Sequence, residues 1–339
     1  MIVKTPSNFS EAIAALQKAG KVPADISPEL MKEVQAELRS QSEDTGKKLM
    51  DDIFGIYRKH LSADHHGVKK LSVPDLMKEM KGRAKKSVTL AKHDQARAQI
   101  GKIYLRALNR VLAHVKKESL ANLSGKGAPS FANATAPAAA DFPFDLSNFS
   151  KMFFAQMREA GEEALEQSGK VRAAELGLDE DQFVTSHGIA KKFLIERANK
   201  LKDVPQEIYD TLKQSLEAGS KAGETELQLS ARVANVLGDI DDGRAQTIAR
   251  TETASAYGTA SQDAIKQAGF THKSWLTAHD GKVRSSHEEC EDQGAIPNDH
   301  AFSNGLMFPG DPEGEAEEVI NCRCVLQAEE GPEDEEDEA

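Results

Sequence analysis

Thr271-His272-Lys273-Ser274-Trp275-Leu276-Thr277-Ala278 is where the chain changes period. Alternation on every second residue around Trp275 is the spacing of a strand, whereas the preceding segment, about Asp242 to Ala268, follows the ~3.6-residue period of a helix. That helix carries Ala249, Ala256, Ala260 and Ala264 along one side, where small residues let another backbone come close, and Gly269 is a natural C-terminal stop. Beyond the strand, Asp280-Gly281 is a hairpin-type turn signal. Ser285 and Ser286 precede Glu288 and Glu289 at capping-box spacing, which predicts a short helix. Pro297 to Gly314 reads as loop from its Pro, Gly, Asn and Asp content, and Val319 to Gln327 as a final strand. Residues 243–328 are therefore expected to form a compact α+β domain.

Everything upstream reads as helix or linker. Residues 1–120 hold apolar positions at three and four spacing, as in Ile100, Ile103, Leu108, Val111, Leu112 and Val115. Pro28 after Ser27 and Pro74 before Asp75 signpost helix starts. Residues 121–147 collect Gly125, Gly127, Pro129, Pro137, Pro143 and the run Ala134 to Ala140, the composition of an exposed linker. Helical patterning resumes over 148–242. Phe149, Met152, Phe153 and Met157 form an apolar stripe of the kind that builds a core, and Pro205–Ala218 and Glu224–Leu237 follow as a helical pair. No internal repeat of solenoid length occurs. The expected fold is predominantly α-helical α+β: an elongated helical N-terminal region followed by the compact C-terminal domain.

Composition narrows the class. In 339 residues, 39% are hydrophobic, 29% charged and 5% aromatic, with mean hydropathy −0.52, and no run approaches the ~20 apolar residues of a membrane span. The N-terminus lacks a signal peptide's apolar stretch, being broken by Lys4, Glu11, Lys18 and Lys21, so synthesis in a cytoplasm is expected. Three cysteines, all from Cys290 onward, do not make a secreted disulfide scaffold. The net charge of −12 conceals an asymmetry: residues 1–120 hold 23 Lys+Arg against 14 Asp+Glu, and the remainder 20 against 41. Eight of those acids lie in the tail 329–339, which contains nothing able to pack and is expected to be disordered.

The motif residues of the last third have a recognisable order. Ile248-Ala-Arg-Thr-Glu-Thr253 is followed by Lys273-Ser-Trp275, Asp280, Val283-Arg284 and His287. Phe302 to Gly305, Pro309-Gly-Asp-Pro312 and Ile320-Asn-Cys-Arg-Cys324 complete the series. In this order and spacing the block resembles the C-terminal domain of the phage head-morphogenesis family, the Mu F-type minor head proteins of tailed bacteriophages. The resemblance implies a minor component of the capsid interior at the portal vertex, formed in the host cytoplasm and needed for procapsid assembly or DNA packaging. Its implied partners are the portal protein and a capsid or scaffold protein. The residues it marks as structural or docking elements are Arg250, Thr251, Glu252, Trp275, Asp280, Arg284, His287, Asn321, Cys322, Arg323 and Cys324. Cys290 departs from the family pattern.

The chemistry of the block admits several readings. His287 and Cys290 lie three apart on one helix face, and Cys322 and Cys324 alternate onto one strand face, which together make a tetrahedral zinc set. Against this, Cys322 and Cys324 share their face with Ile320 and Leu326 and are equally well read as core residues. A Cys322–Cys324 disulfide would sit at the outer edge of disulfide geometry, since alternate residues of a strand are about 6.6–6.8 Å apart. Asp280, His287 and a cysteine could also supply a nucleophile, a base and an orienting acid, but no cysteine-hydrolase signature surrounds them. Arg284 and Asp280 read as a turn-stabilising ion pair, and Arg250 and Glu252 as loop anchors.

The N-terminal basic residues form the remaining signal. Lys102, Arg106 and Arg110 recur at steps of four, with Lys81, Arg83, Lys85, Lys86, Lys92 and Arg97 upstream and Lys116 and Lys117 after. A solvated helix face explains them. Nonspecific contact with double-stranded DNA through phosphate neutralisation, or with an acidic portal or scaffold surface, is the functional alternative. The expectation is a non-enzymatic structural and interaction protein without a required cofactor. A zinc-stabilised DNA-binding virion protein and a cysteine-based processing enzyme are the alternatives.

Overall fold

The structure is a computed structural model that describes residues 73–124 and 143–331, apart from Glu180 and Gln182, with side chains from Thr89 onward. The helical reading of residues 1–72, the 125–142 part of the linker and the acidic tail from 332 lie outside the described residues, as do the side chains of Lys81, Arg83, Lys85 and Lys86. The chain divides into two units, residues 1–94 and 95–339. Of the first, the described part is helical, belonging to α1 (Val73–Ser124). All that follows concerns the second.

Helix α1 from Ile100 onward buries Ile103, Tyr104, Ala107, Leu108, Val111, Leu112 and Val115, the three-and-four pattern read from the sequence. Arg106–Glu163 at 3.2 Å and Arg110–Gln156 at 3.2 Å fasten it to α2 (Leu146–Glu175). Asp145 caps α2 by accepting from the Asn148 amide, while its own amide donates to Glu118 on α1. Phe149, Phe153 and Met157 then enter the core, with Phe144 stacked edge-on between Phe149 and Tyr209. Met152, the fourth member of the stripe, is only half-buried.

Three further helices build the rest of the bundle: α3 (His187–Lys200), α4 (Val204–Lys221) and α5 (Glu226–Asp239). Pro205 starts α4, where its missing amide costs nothing, and a Thr225–Gln228 capping box starts α5. A π-helical turn, Ile240–Ala245, leads from α5 into α6 (Gln246–Gln267).

Helix α6 is the centre of the unit. From Thr251 to Ile265 every residue is buried, with α2, α3 and the C-terminal sheet packed around it. The predicted alanines serve close approach: Ala256, Ala260 and Ala264 are completely enclosed. Gly258 lies against the Pro309 carbonyl and the Phe308 ring. Four of the buried hydroxyls on this helix donate to the carbonyl one turn back, Thr251 to Thr247, Thr253 to Ala249, Thr259 to Ser255 and Ser261 to Tyr257, so these four enter the core satisfied. Gly269, at φ +83°, ends the run as the sequence predicts.

The sheet is antiparallel in order β2-β1-β3, with β1 His272–Leu276, β2 Ile296–Pro297 and β3 Val325–Glu329. Trp275 pairs with Leu326, and both face a core of Ile265, Phe302, Leu306, Phe308 and the three cysteines. Three local expectations need correction. Asp280-Gly281 is not a two-residue hairpin: it turns the chain into α7 (Ser285–Asp292), with the Asp280 carboxylate taking the Lys282 amide, and β1 meets β2 only afterwards. Arg284 is the N-cap of α7, without a side-chain cap, because Ser286 is drawn away to Glu318. The final strand starts at Val325 rather than Val319, since a single helical turn, α8 (Ala316–Val319), and the 320–324 bend precede it.

A Cβ at residue 258 would collide with the Pro309 carbonyl and come within 2.8 Å of the Phe308 ring. Gly258→Ala should therefore destabilise the protein by about 1–3 kcal/mol, the usual range for overpacking, read as a lowered urea midpoint.

Candidate metal centre

The bend Ile320-Asn321-Cys322-Arg323-Cys324 is held from several sides. Asn321 adopts φ +56°, a left-handed conformation that asparagine tolerates, and its amide donates to Thr251 on α6 at 3.2 Å. Arg97 on α1 reaches across to the Arg323 carbonyl at 2.8 Å and the Cys324 carbonyl at 3.1 Å. Arg284 donates to the Ile320 carbonyl at 2.6 Å, while Arg323 pairs in fork geometry with Asp280. The turn-stabilising partner of Asp280 is thus Arg323, with Arg284 serving the backbone of the same bend.

These constraints aim both thiols of the bend at one imidazole. His287, on α7, is buried, with Nδ1 3.3 Å from the Cys324 sulfur and 3.8 Å from the Cys322 sulfur. Its ring packs edge-on against Trp275 at 4.9 Å, and Trp275 in turn packs against Phe302 at 5.1 Å. Its other nitrogen, Nε2, lies 3.0 Å from the carboxylate of Glu318, which also accepts from Ser286 and Asn304. Burial works against charge on Glu318, but the bonds from Asn304 and Ser286 and the neighbouring imidazole outweigh it and hold the carboxyl below its ordinary range. An ionised Glu318 can only accept, so its contact places an N–H on Nε2, while Nδ1 faces the two sulfurs.

The two thiols are unequal. A hydrogen bond from Cys324 and the nearby His287 push the Cys322 thiol well below its ordinary range, against burial. Donation to Cys322, with burial, pushes Cys324 far up.

Among the described residues, His287, Cys322 and Cys324 are the group whose side chains could hold a metal ion, their ligand atoms all lying within 4.8 Å of one another. Cys290, the expected fourth member, is not in this group. It too is buried beside the sheet, but its sulfur is 3.5 Å from the Ser303 hydroxyl, and burial raises its thiol above the ordinary value. All three cysteines are free thiols. Glu318 was not singled out from the sequence. It lies on a one-turn helix 31 residues from His287, and no local spacing links them.

The other motif residues divide between core and surface. Glu252 is buried on α6 and takes a two-bond fork from buried Arg197 on α3, at 2.9 and 2.5 Å, so it locks two helices rather than a loop. Burial opposes the charge on Arg197, but Glu252 prevails and holds the guanidinium above its ordinary pKa; burial and Glu252 together raise Tyr104. Arg250, expected beside Glu252 as an anchor, is exposed. Lys273 is fully enclosed, its ammonium donating to the carbonyls of Asn298 at 3.0 Å and Met307 at 2.8 Å. Lys102, Arg106 and Arg110 are exposed on α1, with Lys102 bonded to Gln99. Arg97, counted with that basic group in the sequence, instead braces the Cys322–Cys324 bend.

Residues 206–327 match the family model described as Phage Mu protein F like protein. This segment is a Phage Mu F-like domain. No curated protein and no solved structure matches the chain. The Mu F-like domain runs from within α4 to within β3 and contains the whole His287, Cys322 and Cys324 cluster. It excludes Arg97, Arg172 and Arg197, three upstream arginines that donate into it, Arg172 through the Leu326 carbonyl at 3.1 Å. The match supports a role in phage head morphogenesis.

Arg197→Met should cost about 3–5 kcal/mol by leaving Glu252 buried and unpaired, and the Arg197→Met/Glu252→Gln double variant should recover much of that loss in a denaturation cycle. A second expectation concerns pH. Burial, with the Lys266 charge, pushes Lys273 down to about 8, against about 10.4 in an unfolded chain. Between these values the unfolded chain holds a proton that the folded chain has released, so stability rises with pH across that window. Lys273→Met should flatten the rise in urea titrations at stepped pH; equal slopes in both proteins would refute the assignment.

Proposed function

We propose that the protein is a minor head protein of a tailed bacteriophage, acting in procapsid assembly and DNA packaging at the portal vertex through structural contacts. The observation that carries this reading is the Mu F-like domain together with the way its motif residues are used. Thr251, Glu252, Asp280, Arg284 and Arg323 spend their polar groups on one another, on α3 or on the Cys322–Cys324 bend. Such a module presents a rigid surface to a partner. The arrangement does contain a Cys-His-Glu series of the kind that activates a thiol, with Glu318 in the orienting position. Its sulfurs and imidazole are at most 5% exposed, however, so a substrate carbonyl could reach them only after the domain opened.

In this reading the Mu F-like domain docks on the portal inside the capsid, and the exposed basic face of α1 turns to DNA or to an acidic scaffold surface. No helix among the described residues is long and apolar enough to cross a membrane, in keeping with a virion location.

The test is retention of the full chain on the cognate portal ring at moderate salt, beside a Lys102→Gln/Arg106→Gln/Arg110→Gln variant. Both proteins should bind the ring, because the substitutions lie outside the domain. If DNA is the partner of α1, the variant should also lower the salt slope of DNA binding by about 2–3 units, one charge contributing about 0.9. Failure of the wild-type chain to bind the ring, with salt-dependent DNA binding retained, would replace this reading with that of a packaged DNA-binding protein.

A further inference from the structure

We propose that His287, Cys322 and Cys324 form a zinc-class metal site, with three protein ligands, His287 Nδ1 and the two sulfurs, and with Glu318 as the carboxylate that orients the imidazole. The proposal does not depend on portal docking.

The first argument is spacing. Zinc bound at about 2.3 Å to sulfur and about 2.0–2.1 Å to imidazole nitrogen in tetrahedral angles sets N···S near 3.6 Å and S···S near 3.8 Å. The Nδ1 atom lies 3.3 and 3.8 Å from the two sulfurs, and all three ligand atoms fall within 4.8 Å of each other. Both N···S separations are within a few tenths of an ångström of the zinc value.

The orientation of the ring supports it independently. Glu318 accepts from Nε2 at 3.0 Å and is itself held by Ser286 at 3.0 and 3.1 Å and by Asn304 at 3.0 Å. The ring is thereby oriented with Nε2 on the carboxylate and Nδ1 turned toward the two sulfurs. A carboxylate fixing the remote nitrogen is the usual outer support of a metal-bound histidine, which sets the tautomer and makes the ligand more basic.

Preorganisation is the third. A two-residue Cys-x-Cys chelate needs a backbone that turns both side chains the same way, and here Thr251, Arg97 and the Arg323–Asp280 pair hold that turn without using a ligand atom. Two thiolates and a neutral imidazole are soft donors, which favour zinc over magnesium or calcium, and the divalent charge neutralises both sulfurs in a buried setting. The Cys290 sulfur is engaged with Ser303, so the fourth position belongs to water or another exchangeable ligand.

The experiment uses the full chain. Metal content by mass spectrometry after dialysis should give one zinc per chain. Cobalt substitution should give tetrahedral ligand-field bands, with thiolate-to-cobalt charge transfer of the intensity of two thiolates. Cys290→Ser should keep both signatures. Glu318→Gln should keep the stoichiometry while weakening zinc about 10–100-fold, the usual effect of losing such a support. Cys322→Ser and Cys324→Ser should each lose the metal, with circular dichroism reporting whether the fold survives. Because the wild-type, Cys290→Ser and Glu318→Gln readouts do not require those two variants to fold, the proposal stays falsifiable. No stoichiometric metal in the wild type, a Cys322–Cys324 disulfide in the mass spectrum, or loss of metal in Cys290→Ser would each overturn the three-ligand assignment.

Discussion

Helix α6 has no solvent face along its middle, and the rest of the second unit is arranged to satisfy that constraint. A helix enclosed all round must be narrow, so it is built from Ala, Ser, Thr and Gly, and any polar group it carries must find a partner inside the protein. The hydroxyls of Thr251, Thr253, Thr259 and Ser261 bond one turn back along the helix. Glu252 finds Arg197, Asp263 takes the amide and hydroxyl of Ser186 at 2.7 and 2.9 Å, and Gln262 donates to the Asn298 carbonyl. Each of these bonds fixes a different neighbouring segment, so satisfying the helix also positions α3, the loop before it and the loop after β2.

The same logic extends to the Cys322–Cys324 bend. Its backbone leaves regular structure between α8 and β3, and a buried bend cannot leave its carbonyls and amides unmatched. Thr251 on α6, Arg97 on α1 and Arg284 beside α7 supply the partners. In doing so they connect the Mu F-like segment to residues upstream of it. The stability of the domain is therefore not confined to its own matched length: Arg97, Arg172 and Arg197 are part of its support even though they precede it.

Two regions of contrasting chemistry result. The sheet end concentrates soft, enclosed groups around Trp275: three thiols, an imidazole and aromatic rings. The α1 face carries Lys102, Arg106 and Arg110 in solvent, with Arg106 tied to Glu163 by an exposed pair of the sort that contributes at most about 1 kcal/mol.

From the sequence alone, the period change at Thr271, the buried alanines of α6, the Gly269 stop and the Pro205 start were enough to establish a helical chain with a small sheet near its end. These features are encoded within a few residues of where they act. The order of Arg250 to Cys324 likewise marked the Mu F-like resemblance, within the 206–327 match, and offered His287, Cys290, Cys322 and Cys324 as a candidate ligand set. Tertiary structure alone decided the rest: that Glu318 faces His287, that Arg97 braces the cysteines, that Arg197 rather than a loop pairs with Glu252, and that Cys290 turns to Ser303. Each of those contacts is set by how separate elements pack, and the side-chain period of one helix or strand carries no information about which distant residue will face it.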